Sequence, residues 1–255
     1  MTKNFYVGPA KKEDYGELMA MLDDVFFFDD APSCARGFLP LLPKLYKKEY
    51  RPWERNLIVR EGGVIRAAAG MYVLDCVIAG QPLRCGGIGN VAVARDSRRL
   101  GYMKLVMDAA MDAMRAEGCD FGALGGQRQR YAYWGFERTG VVLRAECSRS
   151  NLRHAFGKRK TRAFRPERLL PESKTVLREI QALTEAAPVH GIHAPEAFYD
   201  CLCSWDENPF ALWDGERLAG CFLLDRFGKD VSTLMLHDAE NDFEAAVHTL
   251  FDCLP

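Results

Sequence analysis

The 255-residue chain has no run of 18 or more apolar residues, so nothing in it is long and apolar enough to span a bilayer as a helix. Its opening, Met1-Thr2-Lys3-Asn4-Phe5, lacks the apolar stretch that a secretion signal needs. An excess of one charge is missing too. Lys and Arg number 34 against 35 Asp and Glu, and a formal charge of −1 gives no general pull toward nucleic acid or an anionic membrane. Nine cysteines, an odd number, are scattered from Cys34 to Cys253 in a chain large enough to fold without staples. Reduced, mostly buried thiols in a cytoplasmic protein are therefore expected. The nearest approach to a zinc set is His190, His193, Cys201 and Cys203. It puts one residue between its cysteines where zinc sites use about two to four, so no metal is expected.

What is present is an ordinary globular composition, 48% apolar and 27% charged, with length for one large domain or two smaller ones. Phe5-Tyr6-Val7 reads as a strand, residues 11–28 as an amphipathic helix, and Phe38 to Tyr50 as a second helical segment bounded by prolines. Leu57 begins a strand, Glu61-Gly62-Gly63 turns it, and Val64 to Ile78 runs back. A third strand follows, Leu83 to Val93, with Gly86, Gly87 and Gly89 inside it; such glycines signal a bulge or a close backbone approach. The clearest helix is 101–117, where Met103, Val106, Met107, Ala110 and Met114 share one face and Lys104, Asp108, Asp112 and Arg115 the other. Phe121–Leu124, a brief helix over Gln127–Trp134, and a strand over Glu137–Cys147 come next.

After Cys147 the composition shifts. Between Arg149 and Arg168 stand eight basic residues against the single acid Glu167, read as a solvated linker. Helices over Ser173–Ala187 and Pro195–Cys203 follow it. Strands over Phe210–Trp213, Arg217–Leu224 and Val231–Leu236 and a last helix near Phe243–Asp252 then repeat the element order of residues 11–117, with no obvious residue identity.

The stretch richest in chemistry is Asn90-Val91-Ala92-Val93-Ala94-Arg95-Asp96-Ser97-Arg98-Arg99-Leu100-Gly101-Tyr102-Met103-Lys104. A strand runs into a turn with two arginines and a glycine, and the turn opens the best helix. Unpaired N–H groups and the dipole at a helix start favour an anion. Arg98 and Arg99 add charge-assisted hydrogen bonds suited to phosphate oxygens. Gly101 lets the backbone approach closely.

This stretch resembles the cofactor motif of the GNAT superfamily of N-acetyltransferases: Gln or Arg, two residues, Gly, one residue, Gly or Ala, after an apolar strand. Met103 departs from the small last residue, and the arginine-rich turn is similar to that of the Eis-like branch. A second signature, Tyr131-Ala132-Tyr133-Trp134-Gly135-Phe136, resembles the tyrosine that such enzymes carry four residues before a Gly-Phe pair. The asparagine that many relatives carry before that tyrosine is missing, and Gln127 or Gln129 stands in its neighbourhood.

The resemblance covers residues 3–147. It implies an α/β (α+β) fold: a GNAT-like mixed, mostly antiparallel sheet flanked by helices, followed by a degenerate GNAT-like second half. The domains are then 1–148, an acetyl-CoA-binding catalytic domain; 149–172, a basic linker; and 173–255, a half without a cofactor site. By the same likeness, backbone groups of Val91 and Val93 hold the acetyl and pantetheine arms. Arg98, Arg99, Gly101, Tyr102, Met103 and Lys104 cradle the pyrophosphate.

The chemistry implied is attack of a neutral amine on the thioester, with the Val91 N–H as oxyanion donor and Tyr131 as general acid. The Leu83–Val93 strand holds no carboxylate to act as base, so water relayed from Asn90 or a backbone carbonyl takes that place. The first helices wall the acceptor pocket in this superfamily. Here they bring Asp23, Asp24, Phe26, Phe27, Phe28, Asp29 and Asp30, and Phe26, Phe28, Asp29 and Asp30 are the candidates for binding a small-molecule or peptide amine.

No nucleic-acid or membrane partner is expected, while the likeness suggests a homo-oligomer. The Eis-like branch usually adds a third, sterol-carrier-like domain whose terminal carboxylate joins the active site; this chain is too short for one, so no such role falls to Pro255. The competing readings are an aminoacyl-tRNA-dependent transferase of the tandem-GNAT kind, invited by the basic segment, and a non-catalytic CoA-binding module.

Overall fold

The computed structural model describes residues 5–27, 37–140, 148–157 and 162–253. The chain divides into two compact units, Met1–Thr139 with Gly191–His193, and Gly140–His190 with Ala194–Pro255.

The first unit is built on a sheet in the order β1-β2-β3-β4-β5: β1 (Phe5–Pro9), β2 (Asn56–Glu61), β3 (Val64–Ile78), β4 (Gln81–Val93) and β5 (Phe121–Leu124). All neighbours are antiparallel except β4 and β5, which run parallel because the crossover helix α5 (Tyr102–Ala116) lies between them in sequence. Alternation along the strands feeds two cores. Leu57, Val59, Ala67, Ala69 and Met71 pack under α5 with Val106, Met107, Ala110 and Met114. Ile58 and Ala68 face the other way, onto α1 (Tyr15–Phe27) and its buried Leu18 and Leu22.

Helix α5 sits so close to the sheet that a Cβ on Gly86 would meet the Met114 side chain at 2.5 Å. Glycine at that point is a packing requirement. The helix expected over Phe38–Tyr50 is broken instead into α2 (Phe38–Leu41), α3 (Pro43–Tyr46) and a 3-10 turn, before α4 (Pro52–Arg55). Pro43 and Pro52 explain the breaks: each lacks an N–H, disfavours a helical residue before it, and opens a new turn at its N-terminus. The short helix α6 (Arg128–Tyr131) runs on into a 3-10 turn, Ala132–Trp134. The expected strand over Glu137–Cys147 has no strand at 137–140, and 141–147 lie outside the described residues.

The second unit holds an antiparallel sheet in the order β10-β9-β8-β6, from β6 (Arg165–Arg168), β8 (Asn208–Asp214), β9 (Arg217–Leu224) and β10 (Val231–Leu236). Helices α8 (Lys174–Glu185) and α9 (Pro195–Leu202) cover one face through Leu177, Ile180, Phe198 and Leu202. Helix α10 (Ala239–Cys253) covers the other through Ala245, Ala246 and Leu250. A short strand, β7 (Val189–Gly191), leads into Gly191–His193, which belongs to the first unit and whose Ile192 N–H donates to the Asp75 carbonyl of β3 at 2.7 Å.

The described parts of the segment read as a linker form elements of their own. It carries α7 (Arg149–Phe156), capped by the Ser148 hydroxyl accepting from the Asn151 N–H at 3.1 Å. It also carries β6, paired with β8, with Phe164 and Leu169 buried on either side. Arg149, Arg153, Arg165 and Arg168 stand exposed on these elements, and the unit they belong to begins at Gly140.

Candidate active site

The site begins with one extra residue in β4. Ala68 pairs with Ala92 and Gly70 with Gly89, so Asn90 and Val91 together stand opposite the single residue Ala69. This is a β-bulge, and Asn90 adopts φ +45, a left-handed conformation that costs a non-glycine residue about 1 kcal/mol. The bulge resets the alternation of the strand. Ile88 faces α5 before it, and Val91 and Val93 face α5 after it. On the other side, β5 last pairs with β4 at Ile88, so Gly89–Val93 runs on with no strand beyond it among the described residues. Backbone groups of Val91 and Val93 thereby border a gap.

The gap leads to the start of α5. Arg99 and Gly101 take left-handed conformations, φ +67 and +86, and turn the chain sharply into the helix. The Lys104 and Leu105 N–H groups both bond back to the Gly101 carbonyl, at 3.0 and 3.4 Å. The N–H groups of Tyr102 and Met103 remain at the open end, where the helix dipole is positive. No acidic side chain stands in this first turn. Arg98 and Arg99 are exposed and pair with no carboxylate among the described residues.

Val91, Val93, Arg98, Arg99, Gly101, Tyr102 and Met103 line one cleft of about 730 Å³, together with Phe26, Val25 and Arg130. Two sequence expectations change in detail. The Lys104 ammonium is not at the cleft wall: it lies 2.5 Å from the Asp108 carboxylate and 5.3 Å from the Tyr133 ring centre. The Tyr102 side chain turns into the core and donates to Glu61, leaving only its place at the helix start to serve a ligand.

Asn90, the residue expected to relay water, stands in the bulge itself. Its amide is held in a polar cluster under the bulge, with its Nδ2 donating to Asn56 Oδ1 at 2.9 Å. Asn56 Nδ2 donates to the Tyr72 hydroxyl at 3.2 Å, and Tyr72 donates to Tyr46 at 3.3 Å. Burial pushes both phenols up, Tyr46 well above the usual range, so they stay protonated as donors. Tyr46, Tyr72 and Asn56 were missed because three separate elements bring them together, and no spacing in sequence marks them.

Tyr131 is half-buried against the same core cluster as Val91 and Val93, its ring stacked over Gly126. Burial raises its phenol above the ordinary value, with the neighbouring Arg130 pulling the other way. The rest of its motif is anchored to α5. The Trp134 indole N–H donates to Asp108 at 2.8 Å, and Lys104 bonds the other oxygen of that carboxylate. Those two bonds hold Asp108 below the usual carboxylate range, the Lys104 bond having the larger effect.

On the acceptor side, Phe26 is exposed and packs edge-to-face on Phe38 at 5.0 Å, while Phe28, Asp29 and Asp30 lie outside the described residues. Asp23 and Asp24 have local tasks: Asp23 accepts from the Phe38 N–H at 2.9 Å, and Asp24 pairs with Arg95 at 3.4 Å. Among the described residues no group of three or more His, Cys, Asp or Glu is placed to hold a metal, and no helix is long and apolar enough to cross a membrane.

Comparison with known proteins agrees with this geometry. Solved structures share the fold over nearly the whole chain. A GCN5-related N-acetyltransferase from Kribbella flavida superposes with a TM-score of 0.63 at 16% identity, over 99% of this chain and 61% of its own. A probable N-acyltransferase of unknown function from Enterococcus faecalis V583 gives 0.66 at 12% identity, over 98% and 62%. A GCN5-related N-acetyltransferase from Anabaena variabilis ATCC 29413 gives 0.66 at 13%, over 96% and 63%. The chain thus spans about three fifths of the length of these relatives. No curated protein matches it. The acetyltransferase (GNAT) domain family matches residues 7–138, more than half of the chain and all of the cleft, and the chain belongs to that family.

Proposed function

We propose that this chain moves the acetyl group of acetyl-CoA to a primary amine of a small molecule or peptide. The observation that carries the reading is the single cleft that joins the free edge of the β4 bulge to an open helix start with two unpaired arginines. A CoA thioester needs both ends of such a cleft. Its pantetheine amides suit backbone groups on a strand edge, and its pyrophosphate suits helix N–H groups and guanidinium forks. The residues present fit that ligand.

In this reading the Val91 N–H stabilises the oxyanion that develops as the amine attacks. Tyr131, kept protonated by burial, gives its proton to the departing thiolate. Phe26 and Val25 wall the cleft beside the end of α1, and acceptor binding is assigned to Phe26 with Phe28, Asp29 and Asp30, the next residues along the chain, whose negative charge suits a cationic amine. The arginine-rich turn supports placement with the Eis-like branch, as a cytoplasmic enzyme that forms homo-oligomers. The catalytic part lies in the first unit, and the second unit, from Gly140, has no cofactor site of its own.

The test is release of CoA thiol from acetyl-CoA across a panel of primary amines. Amine-dependent release that disappears in Arg98→Glu supports the reading. CoA binding without any release would leave a non-catalytic CoA module. Binding to charged tRNA with no release would favour an aminoacyltransferase.

A further inference from the structure

The cations on β3, on the turn into α5 and on α6 divide sharply by their pairing. Arg66 bonds Asp96 at 3.1 Å, Arg95 bonds Asp24 at 3.4 Å, Lys104 bonds Asp108 at 2.5 Å, and Arg128 takes Glu137 with two nitrogens. Arg98, Arg99 and Arg130 have no carboxylate among the described residues, and these are the three that line the cleft. Arg128 and Arg130 make the contrast within one turn of α6: the first is neutralised bidentately, while the second is left exposed at the cleft wall. Folded proteins commonly match surface cations with acids where acids are near, so three unmatched guanidinium groups converging on one cleft describe an anion site.

The turn before α5 already has what a pyrophosphate needs: Arg98, Arg99 and the helix N–H groups. Arg130 comes from a different element, the Tyr131 motif, and is one cation more than two phosphates on that turn require. CoA carries a third phosphate, the monoester on its ribose 3′ oxygen, with nearly two negative charges at neutral pH. Resting on the acetyl-CoA reading above, we propose that Arg130 binds this 3′-phosphate and makes the cleft selective for CoA over its 3′-dephospho form. Arg130 is then a specificity residue of the donor site, recruited by the segment that also carries the candidate acid.

Calorimetric titration of the full chain with CoA and with 3′-dephospho-CoA tests this. The wild-type chain should prefer CoA by roughly tenfold to a hundredfold, the worth of one charge-assisted contact. Arg130→Ala should bring that ratio close to one by weakening CoA alone, and Arg130→Lys should restore part of it. Arg130 is exposed, and binding of 3′-dephospho-CoA itself reports that the variant is folded. Equal weakening of both ligands in Arg130→Ala would assign Arg130 to the pyrophosphate and overturn the proposal, as would an unchanged ratio. Failure of the wild-type chain to bind either compound would instead overturn the acetyl-CoA reading on which it rests.

Discussion

Two strand-to-helix turns in this chain have the same place in the element order and opposite electrostatics. In the first unit β4 leads to α5, and in the second β10 leads to α10; both helices are 15 residues long. The start of α5 is left open by Gly101, with two arginines before it that pair with no carboxylate among the described residues. The start of α10 is closed. The Asp238 carboxylate accepts from the Asn241 N–H at 3.1 Å, and its hydrogen bonds to Asn241 hold it below the usual carboxylate range. Asp242, 1% exposed, is clamped by Arg162 and by Arg217, the latter at 2.9 Å. The orphan N–H groups and the dipole exist at both ends. Filling them from within gives a stable helix, and leaving them unfilled beside spare cations gives a place for a ligand.

Making the first turn like the second should have the largest effect. Gly101→Asp or Arg98→Glu should weaken CoA binding about a hundredfold to a thousandfold by calorimetry, since a like charge near a phosphate costs several kcal/mol. The fold should survive, because nothing lies within 4 Å of a Cβ at Gly101 and a left-handed Asp strains the chain by only about 1 kcal/mol. Unchanged affinity in both variants would end the assignment of the turn.

The reverse operation acts on stability. Asp242→Ala removes the buried carboxylate that Arg162 and Arg217 share, leaving both on Asp214 alone, and should cost about 2–3 kcal/mol in denaturant unfolding of the second unit, while CoA affinity stays native. Crystals of the wild type soaked in excess CoA should show one cofactor; density beside Asp238 would erase the contrast drawn here.

Tyr131→Phe should lower turnover about tenfold to a hundredfold at native acetyl-CoA affinity, with Tyr133→Phe milder because that ring is 71% exposed. The pH profile carries a sign. Burial keeps the Tyr131 phenol above its ordinary value near 10, so its acid form persists through neutrality. Turnover should rise with pH as the acceptor amine loses its proton, with no falling limb below about pH 10. A fall centred lower would remove Tyr131 from the acid role.

The smallest effect is expected at Tyr72→Phe, which removes one hydroxyl from the cluster under the bulge and should cost about 1–2 kcal/mol. Any accompanying drop should appear in kcat more than in KM, because the cluster holds the bulge and touches no ligand.

Much of the first unit was legible because its signals are local. Glu61-Gly62-Gly63 marked the hairpin, the apolar period of α5 marked its buried face, and Gly86 through Gly89 marked a strand under unusual constraint. Within that strand the period alone could not say which way Asn90 turns. The bulge inverts the alternation, and only the register against Ala69 reveals it. In the second unit the basic run concealed α7 and β6. A strand whose four residues are all exposed has no apolar alternation to detect, and β6 exists because Trp213 and its neighbours in β8 pair with it from more than 40 residues away.

By itself, the order of residues determined which end of which helix could take an anion. The charges at Arg98 and Arg99, the glycine at 101 and the acids at 238 to 242 act within one turn of the backbone they govern. The tertiary structure decided what each charge is free to do. It spent Lys104 on Asp108, Arg128 on Glu137 and Arg95 on Asp24, and left Arg98, Arg99 and Arg130 around one cleft without a carboxylate among the described residues. Pairing is a matter of distance across the fold, over a few ångströms, and distances of that kind are set only when separate elements pack.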